Sequence, residues 1–132
     1  MSRSGYSDDL DQWDLIRWRG AVASAIRGKR GQALLRDLAA ALDAMPNKRL
    51  IAEYLEYGTE VCALGALGRA RGIDMSELDP YMREEIAETF DIAGALAAEI
   101  AYLNDCDYRH DTPETRWERM RAWVAEKLKV TA

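Results

Sequence analysis

Apolar residues recur at steps of three and four along most of this 132-residue chain, and glycines and prolines separate the segments that carry them. Such spacing places the apolar side chains on one side of an α-helix, where neighbouring helices can bury them. The pattern predicts an all-α fold, a compact single-domain bundle of about five to six helices. Its predicted core consists of Trp13, Ile16, Val22, Ile26, Leu34, Leu38, Leu42, Val61, Leu64, Leu67, Phe90, Leu96, Ile100, Trp117 and Val124.

Capping residues and helix breakers set the expected boundaries. We expect residues 1–8 to be a flexible N-terminus and residues 9–130 to form the single helical domain. A short basic turn is expected between Gly28 and Gly31, and residues 50–57 fit either a helix or a short strand. No β-hairpin is predicted. The predicted helices cover residues 9–27, 32–45, 60–71, 81–90, 92–104 and a last segment that opens at Thr112-Pro113-Glu114.

A net charge of −5 conceals separate basic and acidic segments. Residues 15–49 carry eight basic and two acidic side chains, whereas residues 50–115 carry four basic and fifteen acidic ones. Cations along a helix, accompanied here by Trp13 and Trp18, suit phosphates and stacked bases. The candidate side chains for binding nucleic acid or another anionic partner are Arg17, Arg19, Arg27, Lys29, Arg30 and Arg36. The alternative is a solvated helix face whose arginines pair with the acids of the same chain.

A second candidate surface is acidic. Glu84, Glu85, Glu88 and Asp91 fall on one side of a predicted helix and would imitate a phosphate backbone toward a basic partner, on a face opposite the basic one. The alternative is again a solvated face. The segment 86–100 has the outline of a helix-turn-helix, but its second helix carries no side chain suited to base edges, so we favour core packing.

Few residues suit catalysis or metal binding. The chain holds one histidine and two cysteines, and the loop with Cys106 and His110 lacks the four ligands of a typical zinc site. We therefore predict no metal, no cofactor and no enzymatic activity, with a carboxylate-based hydrolase as the alternative. The two distant cysteines do not make a disulfide framework, which favours a reduced, cytoplasmic protein, and no apolar run is long enough to cross a membrane.

Self-association is also expected. The opposed charged segments, together with the small residues Ala63, Gly65, Ala66 and Gly68, suggest a homodimer in which two helices approach closely.

Three stretches of the chain resemble a group of short proteins from phages, prophages and proteobacterial genomes. They are Trp13–Gln32 (WDLIRWRGAVASAIRGKRGQ), Glu60–Ile73 (EVCALGALGRARGI) and Thr112–Trp123 (TPETRWERMRAW). The resemblance transfers no activity and no catalytic residue. It implies a small phage-type accessory protein, of a kind that acts stoichiometrically on host protein or nucleoprotein machinery, including defence systems such as CRISPR–Cas. Direct regulation of nucleic acid through the arginine-rich N-terminal helices is the alternative.

Overall fold

In a computed structural model, which describes residues 3–4, 12–106 and 111–128, the chain is a mostly helical bundle, as predicted. Within those residues it has six helices: α1 Gln12–Arg27, α2 Lys29–Ala44, α3 Ala63–Ala70, α4 Arg83–Phe90, α5 Gly94–Asp105 and α6 Pro113–Lys127. A small antiparallel hairpin joins β1, Glu56–Tyr57, to β2, Glu60–Val61, and pairs Glu56 with Val61. The expectation of no hairpin is therefore wrong.

Helix α5 lies at the centre of the bundle. It packs against α1, α3, α4 and α6, and it buries Leu96, Ala97, Ala98, Ile100 and Ala101. The small side chains among these allow the neighbouring helices to approach closely. Ile86, Phe90, Leu96 and Ile100 are buried, so the segment 86–100 packs into the core, as favoured from sequence.

Most of the predicted core is buried, with two exceptions in α1. Ile26 and Trp117 are partly buried at its edge, but the side chains of Trp13 and Ile16 are 71% and 51% exposed, so their assignment to the core is wrong. Helix α1 has apolar residues on both sides, and only the side that carries Val22 packs against the bundle. Periodicity alone could not select between these two sides.

The predicted basic turn between α1 and α2 is wrong. Helix α2 begins at Lys29, three residues earlier than expected, and Gly28 is its N-cap. At Gly31 a Cβ would lie 2.0 Å from the carbonyl oxygen of Ala25, so only glycine permits the two helices to approach this closely. Helices α1 and α2 are thus joined by a single residue.

Most of the segment 50–57 forms neither the helix nor the strand that the sequence allowed. It is irregular and ends in β1, and the helix expected over 60–71 begins only after β2. Cys62 caps α3, since its Sγ accepts a hydrogen bond from the N–H of Gly65 at 3.4 Å. Helix α4 begins two residues later than predicted, because Asp79 accepts the N–H of Tyr81 in a turn that precedes it.

The start of α6 is confirmed. Thr112 Oγ1 accepts a hydrogen bond from the N–H of Thr115 at 3.1 Å, and Thr115 Oγ1 accepts one from the N–H of Thr112 at 2.7 Å. Pro113 occupies the first turn, where a missing N–H costs no helical hydrogen bond.

Two residues of the N-terminal stretch 1–8 are described, and both are buried. Arg3 holds Asp105 through two hydrogen bonds, at 2.5 and 2.8 Å, while Arg83 donates to the carbonyl of Ser4. The structure therefore anchors Arg3 and Ser4; the other residues of that stretch lie outside the described residues.

The small residues of α3 are packed in the interior of the fold. Ala63, Gly65, Ala66 and Gly68 are all buried, and a Cβ at Gly65 would collide with the carbonyl of Leu55. This set of residues is unavailable to a second chain, so a dimer cannot form through the contact predicted from sequence.

Asp111 fixes the start of α6 to the rest of the bundle. Its carboxylate is 4% exposed and pairs with Arg119 at 2.7 Å and with Arg116 at 3.0 Å. Arg119 also donates to the carbonyl of Leu103 at the end of α5, and Arg116 donates to that of Leu50. One carboxylate thereby positions two arginines that connect three segments.

We expect Asp111→Asn to lower the free energy of unfolding by about 2–3 kcal/mol at neutral pH, because two arginines lose their buried anion. The hydrogen bond from Arg119 holds the pKa of Asp111 below its ordinary value. The stabilisation is therefore complete above the unfolded-state pKa of about 3.9 and is lost as pH falls through the lower folded pKa. Urea denaturation between pH 7 and pH 2.5 measures both effects.

Asp74→Asn is the control for this prediction, because Asp74 is exposed and, among the described residues, accepts its hydrogen bonds from Ser76 in its own turn. It should change stability little at any pH. An Asp111→Asn protein with the stability of the wild type would contradict the role given to Asp111.

Candidate interaction surfaces

Three exposed cations lie together where α1 meets α2. Arg27 ends α1, and Lys29 and Arg30 form the first turn of α2. We call these three residues the elbow surface. The close contact at Gly31 fixes the angle between the two helices, so the backbone positions of the three cations are set by a packed junction.

The electrostatics at the start of α2 oppose Lys29 and Arg30. Gly28 offers no side-chain hydrogen bond to the first turn of α2, and that turn contains no acidic residue. The helix dipole places partial positive charge there, which disfavours Lys29 and Arg30. Helix stability therefore does not explain these two residues.

The remaining predicted cations do not join the elbow surface as one group. Arg36 is exposed on the side of α2 that carries Lys29, about 10 Å further along the axis. On α1, Arg17 pairs with Asp14 at 2.9 Å, and Arg19 lies on another side of the helix. All six predicted cations are exposed, and the three of the elbow surface are neighbours along the chain.

Elsewhere in the described chain, arginines hold the structure together. Arg121 binds Asp43 through two hydrogen bonds of 2.8 and 2.9 Å, which also lower the pKa of that carboxyl. Arg71 joins Asp37 of α2 to the carbonyl of Phe90. Arg69 binds Glu56 and two carbonyls of the hairpin turn. These three arginines therefore serve the fold. Among the six candidate cations, Arg30 makes the contact with the acidic segment that the alternative expected, through Asp91.

The acidic surface comprises Glu84, Glu85 and Glu88 on the solvent side of α4, together with Asp91. Glu84 and Glu85 stand in the first turn, where negative charge stabilises a helix, so the fold itself accounts for them. Asp91 ends α4 in the left-handed conformation, with φ of 56°.

The elbow surface and the acidic surface are neighbours. Arg30 Nη1 lies 3.3 Å from Asp91 Oδ1, and their side chains are 61% and 80% exposed. A pair this exposed contributes little to stability. We expected the acidic residues on the face opposite the basic ones. This expectation is wrong where Asp91 meets Arg30.

Several large apolar side chains are exposed, and the sequence did not distinguish them from core residues. Trp13 and Ile16 lie on α1, Tyr81 and Met82 immediately precede α4, and Tyr54 contacts Tyr57 beside the hairpin, with their ring centroids 5.5 Å apart. Exposed aromatic residues next to arginines are typical of protein interfaces.

The described residues contain no group of three or more histidine, cysteine, aspartate or glutamate side chains that could hold a metal ion. Cys62 is buried at the start of α3 and Cys106 is half-buried; both are free thiols. His110 lies outside the described residues, and with it the pairing of Cys106 and His110. None of the described helices has the length and apolar character needed to cross a membrane.

Comparisons with protein-family models, with curated proteins and with solved structures find no match to this chain.

Replacing Lys29 with glutamate should raise the free energy of unfolding by about 0.3–1 kcal/mol, since it puts an anion at the positive end of α2. Urea denaturation at low salt measures the change, which high salt should reduce. A destabilised Lys29→Glu protein would show that the fold needs this cation, and the functional interpretation of the elbow surface would lose its basis.

Proposed function

We propose that this protein is a small non-enzymatic accessory protein that binds an anionic surface of a protein or nucleoprotein partner through Arg27, Lys29 and Arg30. The observation that carries the proposal is the exposed cluster of cations where α1 ends and α2 begins, with Lys29 and Arg30 in a first turn that has no side-chain cap. Lys29 and Arg30 work against the positive end of the helix that carries them, whereas Arg69, Arg71 and Arg121 make contacts that serve the fold. An anionic partner would offset the charge of Lys29 and Arg30 at this end of α2.

The rigid geometry of the elbow supports binding rather than catalysis. The junction at Gly31 holds the cations on a packed backbone, which reduces the conformational entropy lost on binding. No described group of residues combines a nucleophile, a base and a stabilising donor at this surface, which consists of cations and small residues.

The biological setting in this proposal is that of a phage-type protein that inhibits host machinery, a defence complex such as CRISPR–Cas being one such target. Its support is the sequence resemblance to short phage and prophage proteins. An inhibitor of this kind works by occupying a site, so one exposed and preformed surface suffices.

The test is affinity purification from host lysate, with and without nuclease, of the wild type and of the Arg27→Glu, Lys29→Glu, Arg30→Glu triple variant. We expect a defined partner complex with the wild type in both conditions and its loss with the triple variant, because the reversed charges repel an anionic surface. Circular dichroism must first show that the variant is folded.

The matched control reverses charge on the neighbouring surface through Glu84→Lys, Glu85→Lys and Glu88→Lys. This variant should keep the partner. Loss of the partner with the control alone would instead assign recognition to the acidic surface, as a mimic of a phosphate backbone, and would overturn the proposal.

Direct binding of nucleic acid is the competing outcome. It predicts that labelled oligonucleotides bind the purified protein, with an affinity that falls steeply with salt because each neutralised phosphate releases counterions. Binding of free DNA or RNA that the triple variant loses, with no partner left after nuclease, would favour the regulatory alternative.

A further inference from the structure

Arg3 lies outside the helices, and yet its side chain is only 3% exposed. Its planar guanidinium holds the carboxylate of Asp105, the last residue of α5, with Nε 2.5 Å from Oδ2 and Nη2 2.8 Å from Oδ1. The third nitrogen, Nη1, lies 3.6 Å from Sγ of Cys62. These partners are 102 and 59 residues away along the chain, so the fold encloses this guanidinium as it would enclose a ligand.

The carboxylate of Asp105 is positioned by groups other than Arg3. Its Oδ1 accepts hydrogen bonds from the backbone N–H of Glu53 and from Nδ2 of Asn104, both at 2.9 Å. Asn104 is fully buried, and its Oδ1 accepts the N–H of Ala63 at the start of α3 at 3.0 Å. Because these contacts do not involve Arg3, the acceptor for a guanidinium is preformed by the bundle.

The surroundings of Asp105 also bind the residue that follows the arginine. Arg83, which begins α4, donates a hydrogen bond from Nη1 to the carbonyl oxygen of Ser4 at 3.0 Å. Apolar side chains line the space beside Arg3 and Arg83, namely Leu55, Leu64, Ile86, Ala97 and Ala101. We call the site formed by Cys62, Arg83 and Asp105 the arginine cleft. It combines a planar fork for a guanidinium, an apolar wall and a donor for the next peptide carbonyl.

The charge around the arginine cleft favours a basic ligand. Every group that contacts Arg3 or Ser4 here belongs to residues 50–115, which carry fifteen acidic and four basic side chains. A surplus of negative charge raises the local concentration of basic segments and speeds their association. An arginine carried by another chain would therefore be attracted to this cleft and would meet the same partner groups.

We propose that the arginine cleft is a binding site for a basic peptide segment of a partner, which inserts an arginine side chain and presents the following peptide carbonyl to Arg83. Arg3 and Ser4 occupy this site as an internal competitor. A ligand on the same chain acts at a high effective concentration, so a partner must displace it before it can bind. The arginine cleft takes a cation and the elbow surface takes an anion, so this inference does not rest on the proposed function.

The first experiment measures the binding of the dipeptide acetyl-Arg-Ser-amide by NMR titration. We expect the Arg3→Ala protein to bind it about tenfold more tightly than the wild type does, because no internal arginine then competes. Acetyl-Lys-Ser-amide should bind the same variant about tenfold more weakly, since an ammonium group cannot form the planar fork. Circular dichroism must first show that the variant is folded, and Arg3→Lys, which keeps the charge, takes its place if it is not.

The second experiment adds changes in the cleft to the same variant. Asp105→Asn should remove the preference for arginine over lysine, because an amide no longer pairs with the guanidinium. Arg83→Gln, at an exposed position, should weaken the binding of acetyl-Arg-Ser-amide about tenfold, because the peptide carbonyl loses a charged donor. Arg19→Gln, at an exposed position of α1, is the matched control and should leave binding unchanged.

Three results would each overturn the proposal. The first is a folded Arg3→Ala protein that does not bind acetyl-Arg-Ser-amide at millimolar concentration, or that binds the lysine dipeptide equally well. The second is a wild type that binds the arginine dipeptide as tightly as the variant does. The third is binding that neither Asp105→Asn nor Arg83→Gln alters.

Discussion

The close contact between α1 and α2 at Gly31 determines where the exposed cations of the elbow surface lie. The backbone of α2 passes so near the carbonyl of Ala25 that no side chain fits between them. Because the helices meet in this way, α2 begins at Lys29 and its first turn is basic. A looser connection would have left the same cations in a turn, where the helix dipole would not act on them. Steric exclusion at one residue therefore sets the electrostatics of the elbow surface.

The arginines of this chain fall into two groups. One group makes structural ion pairs, and the other is exposed at the junction of α1 and α2. Arg116 and Arg119 hold the buried carboxylate of Asp111, and Arg121 holds Asp43 with a bidentate pair. Such planar, directional contacts are those for which guanidinium is better suited than ammonium. At the junction of α1 and α2, by contrast, Lys29 and Arg30 are exposed, and so is the pair that Arg30 forms with Asp91.

Local sequence determined the helical class of the fold, the start of α6 and most of the buried residues, because capping and periodicity act over a few positions. The capping pair of Thr112 and Thr115 is an example, since every contact in it lies within four residues. The local sequence also identified which basic side chains are candidates for binding a partner. Only the tertiary structure decided that Trp13 and Ile16 face solvent, that the small residues of α3 are enclosed, and that Arg30 adjoins Asp91. Those outcomes depend on which side of each helix meets α5 and on the contact at Gly31, and residues distant along the chain determine both.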